Sequence, residues 1–230
     1  MDLSRRSFLC ALSAAPLSRA LGAPVRGAHP FRAACALPES RAGFARALAG
    51  RETPGLLVFA GAAGWDDAIA GHVHRGRLVV FESAAAFAEA RALEEQRAGL
   101  RDAFGLTIED PVALWRGGRP PYVDLRWPAP ARLRDFSYAV PVHGGESIGR
   151  VGALPVAARQ RAGAGALVFL GSPVGPALGS GDPQALAWLS SVLDQPPTTA
   201  ASNRSAAGAM DRATPATHSA TTMAVNTSIV

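Results

Sequence analysis

The sequence contains no lysine, so all of its positive charge is arginine: Lys+Arg 23 against Asp+Glu 18 gives a formal net charge of +5. Abundant alanine and arginine without lysine is the composition that a GC-rich coding sequence produces. The arginines are scattered and form no stripe interleaved with aromatics, which argues against a nucleic-acid surface. Cysteine is nearly missing. Cys10 lies in an N-terminal segment that reads as a leader, which leaves Cys35 alone and excludes an intramolecular disulfide in the mature chain. Cys35 follows Arg32-Ala33-Ala34, far beyond the apolar stretch, so it is no lipidation site; a lone thiol of this kind is usually buried. Phe8–Leu21 is too short and too interrupted for the roughly 20 apolar residues of a membrane span. No internal repeat is visible. What is present, 48% hydrophobic and 18% charged residues in a chain of 230, is enough for one ordinary domain with a buried core.

The N-terminal residues Ser4-Arg5-Arg6-Ser7-Phe8-Leu9 resemble the twin-arginine export motif, and Ala20-Leu21-Gly22-Ala23 supplies the small residues of a cleavage site. The resemblance implies a signal peptide over residues 1–23, passage through the twin-arginine translocase, and a periplasmic or otherwise exported protein. The alternative, an ordinary secretory signal with a chance arginine pair, also takes the chain out of the cytoplasm. Cleavage removes Arg5, Arg6, Arg19 and Asp2 and lowers the net charge from +5 by two, to +3. Residues 24–194 form the expected folded domain. Residues 195–230 are Ala, Thr and Ser with almost no large apolar periodicity. They bury too little to offset the entropy of ordering, and read as a disordered tail.

Within the domain, Pro38–Gly50 places Phe44, Ala47 and Leu48 on one helical face, and Thr53-Pro54-Gly55 breaks it. Leu56–Ala60 reads as a fully buried strand. Trp65, Ile69 and Val73 recur at helical spacing, with Gly76 as the terminator. Leu78–Glu82 is a second buried strand, so strand, helix and strand make a βαβ unit. A helix is expected from Ala84 to about Gly99, with Phe87, Ala90, Leu93 and Leu100 inward and Arg91–Glu95 as an exposed pair. The period then changes. Short runs at 106–108, 112–115, 122–125, 138–142, 148–154 and 156–161, punctuated by glycine and proline, predict hairpins added to one sheet edge. Ala166–Leu170 is a last buried strand, and Asp182-Pro183 caps a last helix bearing Leu186, Leu189 and Leu193.

This order of elements, with the Leu78–Glu82 strand entering a turn at Ser83, resembles the class I glutamine amidotransferase-like superfamily over roughly Leu56–Leu193. The resemblance implies a flavodoxin-like α/β fold, an open and mostly parallel sheet with helices on both faces plus antiparallel hairpins. The family's catalytic turn, Gly-x-Cys-x-Gly, corresponds here to Phe81-Glu82-Ser83-Ala84-Ala85, and its His-Pro-Glu to Ser172-Pro173-Val174. Thiol, base and carboxylate are gone, so the resemblance implies a degenerate member acting as a non-catalytic binding or accessory protein. Its partner would be a small polar ligand or an envelope protein. Glu82, Ser83, Asp124, Trp127 and Ser172 are the candidate ligand-binding residues, at the strand ends where open α/β sheets take ligands. The alternative is a serine hydrolase, because Ser83-Ala84-Ala85 is similar to the Ser-Ala-Gly turn of peptidase E and cyanophycinase-like hydrolases. Ser83 would then be the nucleophile and His143 its base, oriented by Asp124 or Glu146. The competing structural reading makes Ser83 a helix cap aided by Glu82. No cofactor or metal is implied. His72 and His74 diverge by roughly 200° on a helix, and Gly61–Gly64 lacks the Lys-Ser/Thr of a phosphate-binding loop.

Overall fold

The computed structural model describes residues 35–114, 122–134 and 138–195. The expected signal peptide and the tail from Pro196 onward lie outside the described residues, as does Trp115. Helix α1 (Pro38–Leu48) opens on a proline whose fixed φ suits a first turn, and it buries Ser40, Gly43 and Phe44. β1 (Leu56–Ala62) is buried almost throughout. The short helix α2 (Ala68–His74) brings the chain back, with Ile69 and Val73 inward. Gly76, at a φ of 94°, turns it into β2 (Leu78–Ser83), a conformation that costs glycine little. β1 and β2 pair in parallel, Leu56 opposite Leu78.

The next helix begins later than its sequence suggests. A single 3-10 turn, Ala85–Phe87, comes first, and α3 runs over Ala90–Phe104 to a left-handed Gly105. Phe87 is therefore 44% exposed, whereas Leu93, Gln96, Leu100 and Phe104 are buried. Two small ribbons follow. β3 (Thr107–Ile108) pairs with β8 (Val142–His143), and β4 (Val112–Ala113) with β7 (Tyr138–Ala139). The remaining strands are β5 (Tyr122–Leu125), β6 (Ala131–Arg134), β9 (Glu146–Val151), β10 (Leu154–Ala162) and β11 (Gly165–Leu170). Helix α4 (Gly175–Ser180) and helix α5 (Pro183–Leu193) close the domain. Asp182 caps α5 as its sequence predicts, its Oδ1 accepting from the Gln184 and Ala185 amides at 2.8 and 3.0 Å.

The seven-stranded sheet runs β1-β2-β11-β10-β9-β5-β6. Only β1–β2 and β2–β11 are parallel; the other four joins are antiparallel. This corrects the expectation of a mostly parallel, flavodoxin-like sheet. The reason lies in the connections. Leu154 pairs with Val151 across Gly152-Ala153, and Gly165 with Ala162 across Gly163-Ala164. Two-residue links permit hairpins only, since a parallel crossover needs a dozen residues or more.

Helices α1, α4 and α5 pack one sheet face around Phe44, Val168, Trp188 and Leu189. Helices α2 and α3 pack the other around Phe81, Phe169 and Leu100. α1 meets α4 backbone to backbone: a Cβ on Gly43 would fall 1.8 Å from the Gly175 carbonyl oxygen, and one on Gly175 2.3 Å from Ser40 Cα. On β5 and β6 the pattern alternates. Val123, Leu125, Ala131 and Leu133 enter the α5-side core, while Asp124, Arg132 and Arg134 point to the opposite face, which no helix among the described residues covers there.

Candidate functional site

At the C-terminal ends of the parallel strands lies a set of buried polar groups. Glu82 is 0% exposed. Its Oε2 accepts the amides of Val174 and Gly175, each at 2.9 Å, so the carboxyl ties the start of α4 to β2. Its Oε1 and the buried Ser40 Oγ are both without a hydrogen-bond partner of good geometry. Burial pushes the Glu82 carboxyl above its ordinary 4.5, opposed by Ser40 and by the amides of Gly175, Val174 and Gly61. An isolated buried carboxylate is costly, and protonation removes that cost.

Ser83 belongs to a second closed network. Its Oγ donates to Gln96 Oε1 at 2.7 Å and accepts the Ala85 amide at 3.3 Å. Gln96 Nε2 donates to the Ala62 and Ala63 carbonyls at 3.0 and 2.8 Å. Gln96 is 0% exposed and Ser83 3%. The hydroxyl thus staples β2 and the 3-10 turn to α3 and the end of β1. Its proton goes to an amide oxygen, which is no base. His143 Nε2 lies 2.7 Å from Glu109 Oε1 on the surface, Asp124 is held by Arg132, and Glu146 faces Arg159 at 3.5 Å. Each of the four groups proposed for a serine hydrolase has a different partner.

The candidate ligand residues divide into two places. Glu82, Ser83 and Ser172 are buried at the parallel strand ends. Asp124 and Trp127 belong to the antiparallel wing. Trp127 packs against the α5-side core, its carbonyl accepts from Trp188 Nε1 at 2.8 Å, and the Arg159 guanidinium sits 4.6 Å from its ring centroid. Asp124 points to the uncovered face, where Arg132 Nε and Nη2 donate to its two oxygens at 2.6 and 3.2 Å.

Sequence reasoning missed Gln96 and the ground beside it. The signal for Gln96 was there, a polar residue between Leu93 and Leu100 on the inner stripe of α3. Beyond it an open depression of about 540 Å³ is lined by Trp65, Asp67, Glu95 and Asp102, with Ala70, Ala98, Gly99 and Ala103 between them. Trp65 is seated by its neighbours. A Cβ on Gly99 would come within 2.3 Å of its ring, and the rings of Phe81 and Phe104 lie 5.6 and 6.2 Å away. Glycine at 99 is what lets the indole lie down on α3. Glu95 and Asp102 pair with Arg91 and Arg101, each at 3.0 Å, on strongly exposed arms.

No family model and no curated protein matches the chain. Solved structures to which it is similar include glycosidases. The exo-β-1,4-mannosidase from Opitutaceae bacterium strain TAV5 shares 17% identity at a TM-score of 0.46, over 61% of this chain and 26% of that one. A β-galactosidase from G. stearothermophilus shares 16% at 0.41, over 59% and 23%. The β-galactosidase from Bacillus circulans sp. alkalophilus shares 15% at 0.36, over 60% and 22%. The chain spans about a quarter of the length of these enzymes. The resemblance to the glutamine amidotransferase-like superfamily is corrected by the sheet, in which four of the six joins are antiparallel. The readings built on it, a degenerate amidotransferase-like binding or accessory protein and a peptidase E-like serine hydrolase, fall with it.

Proposed function

We propose that this domain binds a saccharide in the Trp65 depression. The observation that carries the reading is the coincidence of a seated indole with the carboxylates of Asp67, Glu95 and Asp102 around one open hollow. An aromatic ring offers an apolar platform for the C–H face of a sugar ring, and ionised carboxylates accept hydrogen bonds from its hydroxyls. The alanines and Gly99 between them leave the floor low. A hollow this open fits one or two rings of a chain and suits weak binding, with Kd near about 1 mM. The twin-arginine motif supports placing this activity in the periplasm or beyond, with the translocase as a transient partner and residues 24–194 as the binding domain.

The test is calorimetry combined with tryptophan fluorescence on the full chain. β-1,4-Manno-oligosaccharides and β-galacto-oligosaccharides serve as first probes because the similar enzymes are named for such bonds. Saturable binding is expected, weakened about tenfold by Asp67→Ala, since a hydrogen bond to a charged acceptor contributes about 1.5–3 kcal/mol. Trp65→Phe keeps the packing against Phe81 and shrinks the platform, and it should weaken binding without unfolding. Absence of heat and of fluorescence change across the panel, or identical affinity in wild type and Asp67→Ala, overturns the proposal.

A further inference from the structure

We infer that the uncovered face of the antiparallel wing binds a carboxylate-bearing polysaccharide. This concerns a different surface from the Trp65 depression and does not rest on that reading. Alternation along β5 and β6 sends Asp124, Arg126, Arg132 and Arg134 to one side of the sheet, and Arg150 joins them by pairing opposite Asp124, with every arginine exposed. In register, Asp124 stands between Arg132 on β6 and Arg150 on β9. Arg132 clamps it bidentately. That clamp, with the charge of Arg126 beside it, holds the Asp124 carboxyl below its ordinary range despite partial burial. Among the described residues, Arg126, Arg132 and Arg150 thus share this face of the three strands with the Asp124 carboxylate. With strands about 4.8 Å apart and alternate residues about 7 Å apart, they form a flat cluster some 10 Å across. Guanidinium forks match carboxylates bidentately, which makes arginine the fitting residue for such a polymer.

The same side of the molecule supplies a contrast that narrows the partner. On α3, Arg91 pairs with Glu95, Arg97 with Glu94 and Asp110, and Arg101 with Asp102. Those four acids are already matched within the chain. An acidic peptide adding to the edge at β6 finds the Arg132 amide donating to Gln184 Oε1 at 2.6 Å, which leaves recognition to side chains. A membrane needs apolar residues to insert, yet exposed Phe87, Val112 and Tyr138 belong to the 3-10 turn, β4 and β7. A single-stranded nucleic acid needs bare rings for stacking, whereas Tyr122, the exposed aromatic of β5, has Arg132 5.5 Å above its ring centroid. A polymer that presents carboxylates on a hydroxylated backbone meets none of these objections.

Full-length protein titrated with polygalacturonate, and in parallel with its fully methyl-esterified form, tests the inference. Binding to the acid and none to the ester is expected, with affinity falling at least about tenfold between about 50 and 200 mM NaCl as charges are screened. Arg126→Gln/Arg150→Gln should weaken it about tenfold with an unchanged melting midpoint, while Arg91→Gln on α3 leaves it unaltered. Equal binding of acid and ester overturns the inference, as does a double variant that binds like wild type. Tighter binding to polyglutamate, to phosphatidylglycerol vesicles or to an oligothymidylate than to polygalacturonate overturns the choice of polymer.

Discussion

The parallel half of the sheet and its antiparallel wing handle polar side chains in opposite ways. Around β1, β2 and β11 they turn inward: Glu82, Ser83 and Gln96 are buried and spend their hydrogen bonds on backbone or on one another. On β5, β6 and β9 they turn outward, and their charges meet solvent. The strand ends that α/β folds commonly give to ligands are here used as fasteners. Capacity for recognition has moved to the hollow over α3 and to the open face of the wing. A polar residue at a familiar position in a fold is therefore informative only once its partners are known.

Three substitutions sharpen or break that contrast, and the largest effect belongs to the parallel half. Gly43→Ala forces a methyl group to within 1.8 Å of the Gly175 carbonyl oxygen, so α1 and α4 must separate. A loss above about 3 kcal/mol in urea unfolding is expected, in line with overpacking against backbone. A loss below about 1 kcal/mol would show that the helix crossing is soft.

Next comes Glu82→Gln, read against pH. The folded carboxyl titrates above its ordinary 4.5, so its contribution to stability is full in acid below the unfolded value and is lost as pH rises through the folded one. Wild type should therefore lose stability relative to the glutamine variant as pH rises above the ordinary carboxylate value of 4.5, as the buried group is forced to ionise. The two urea midpoints, measured across that rise, report it. A wild type that gains on the variant with rising pH would mean the amides of Val174 and Gly175 hold an anion, and the account of the fastener would be wrong in sign. Smallest is Asp124→Asn in the wing. An exposed ion pair contributes little, so the melting midpoint should move by less than about 2 °C. A larger drop would place the wing's surface charges among the groups that hold the fold.

The buried strands at Leu56, Leu78 and Ala166 were legible because helices cover both of their faces, which leaves unbroken apolar runs. The α5 cap was legible in Asp182-Pro183 for a local chemical reason. β6 was not: Ala131-Arg132-Leu133-Arg134 alternates cleanly, but Pro128 and Pro130 beside it read as loop. Helix α4 was hidden by Gly175-Pro176 and Gly179, since glycine disfavours helix in isolation, whereas here Gly175 and Gly179 meet α1 at Ser40 and Gly43. Strand direction is invisible within a strand and was set by the links at Gly152 and Gly163. Glu82 and Ser83 stood out by type and place, yet their partners lie 92 and 13 residues away in the chain. No local pattern separates a ligand-binding turn from one whose hydrogen bonds are already made.

The contact of α1 with α4 also orders the birth of the molecule. The Gly175 backbone against which Gly43 packs, and the Gly179 carbonyl that accepts from Arg46 at 2.8 Å, lie well over a hundred residues downstream of α1. A ribosome adding about 5–20 residues per second leaves the first helix without its seat for roughly ten seconds. The nascent chain must wait through that interval with its opening segment unmoored, and any route that moves this protein as a finished body has to let synthesis end first.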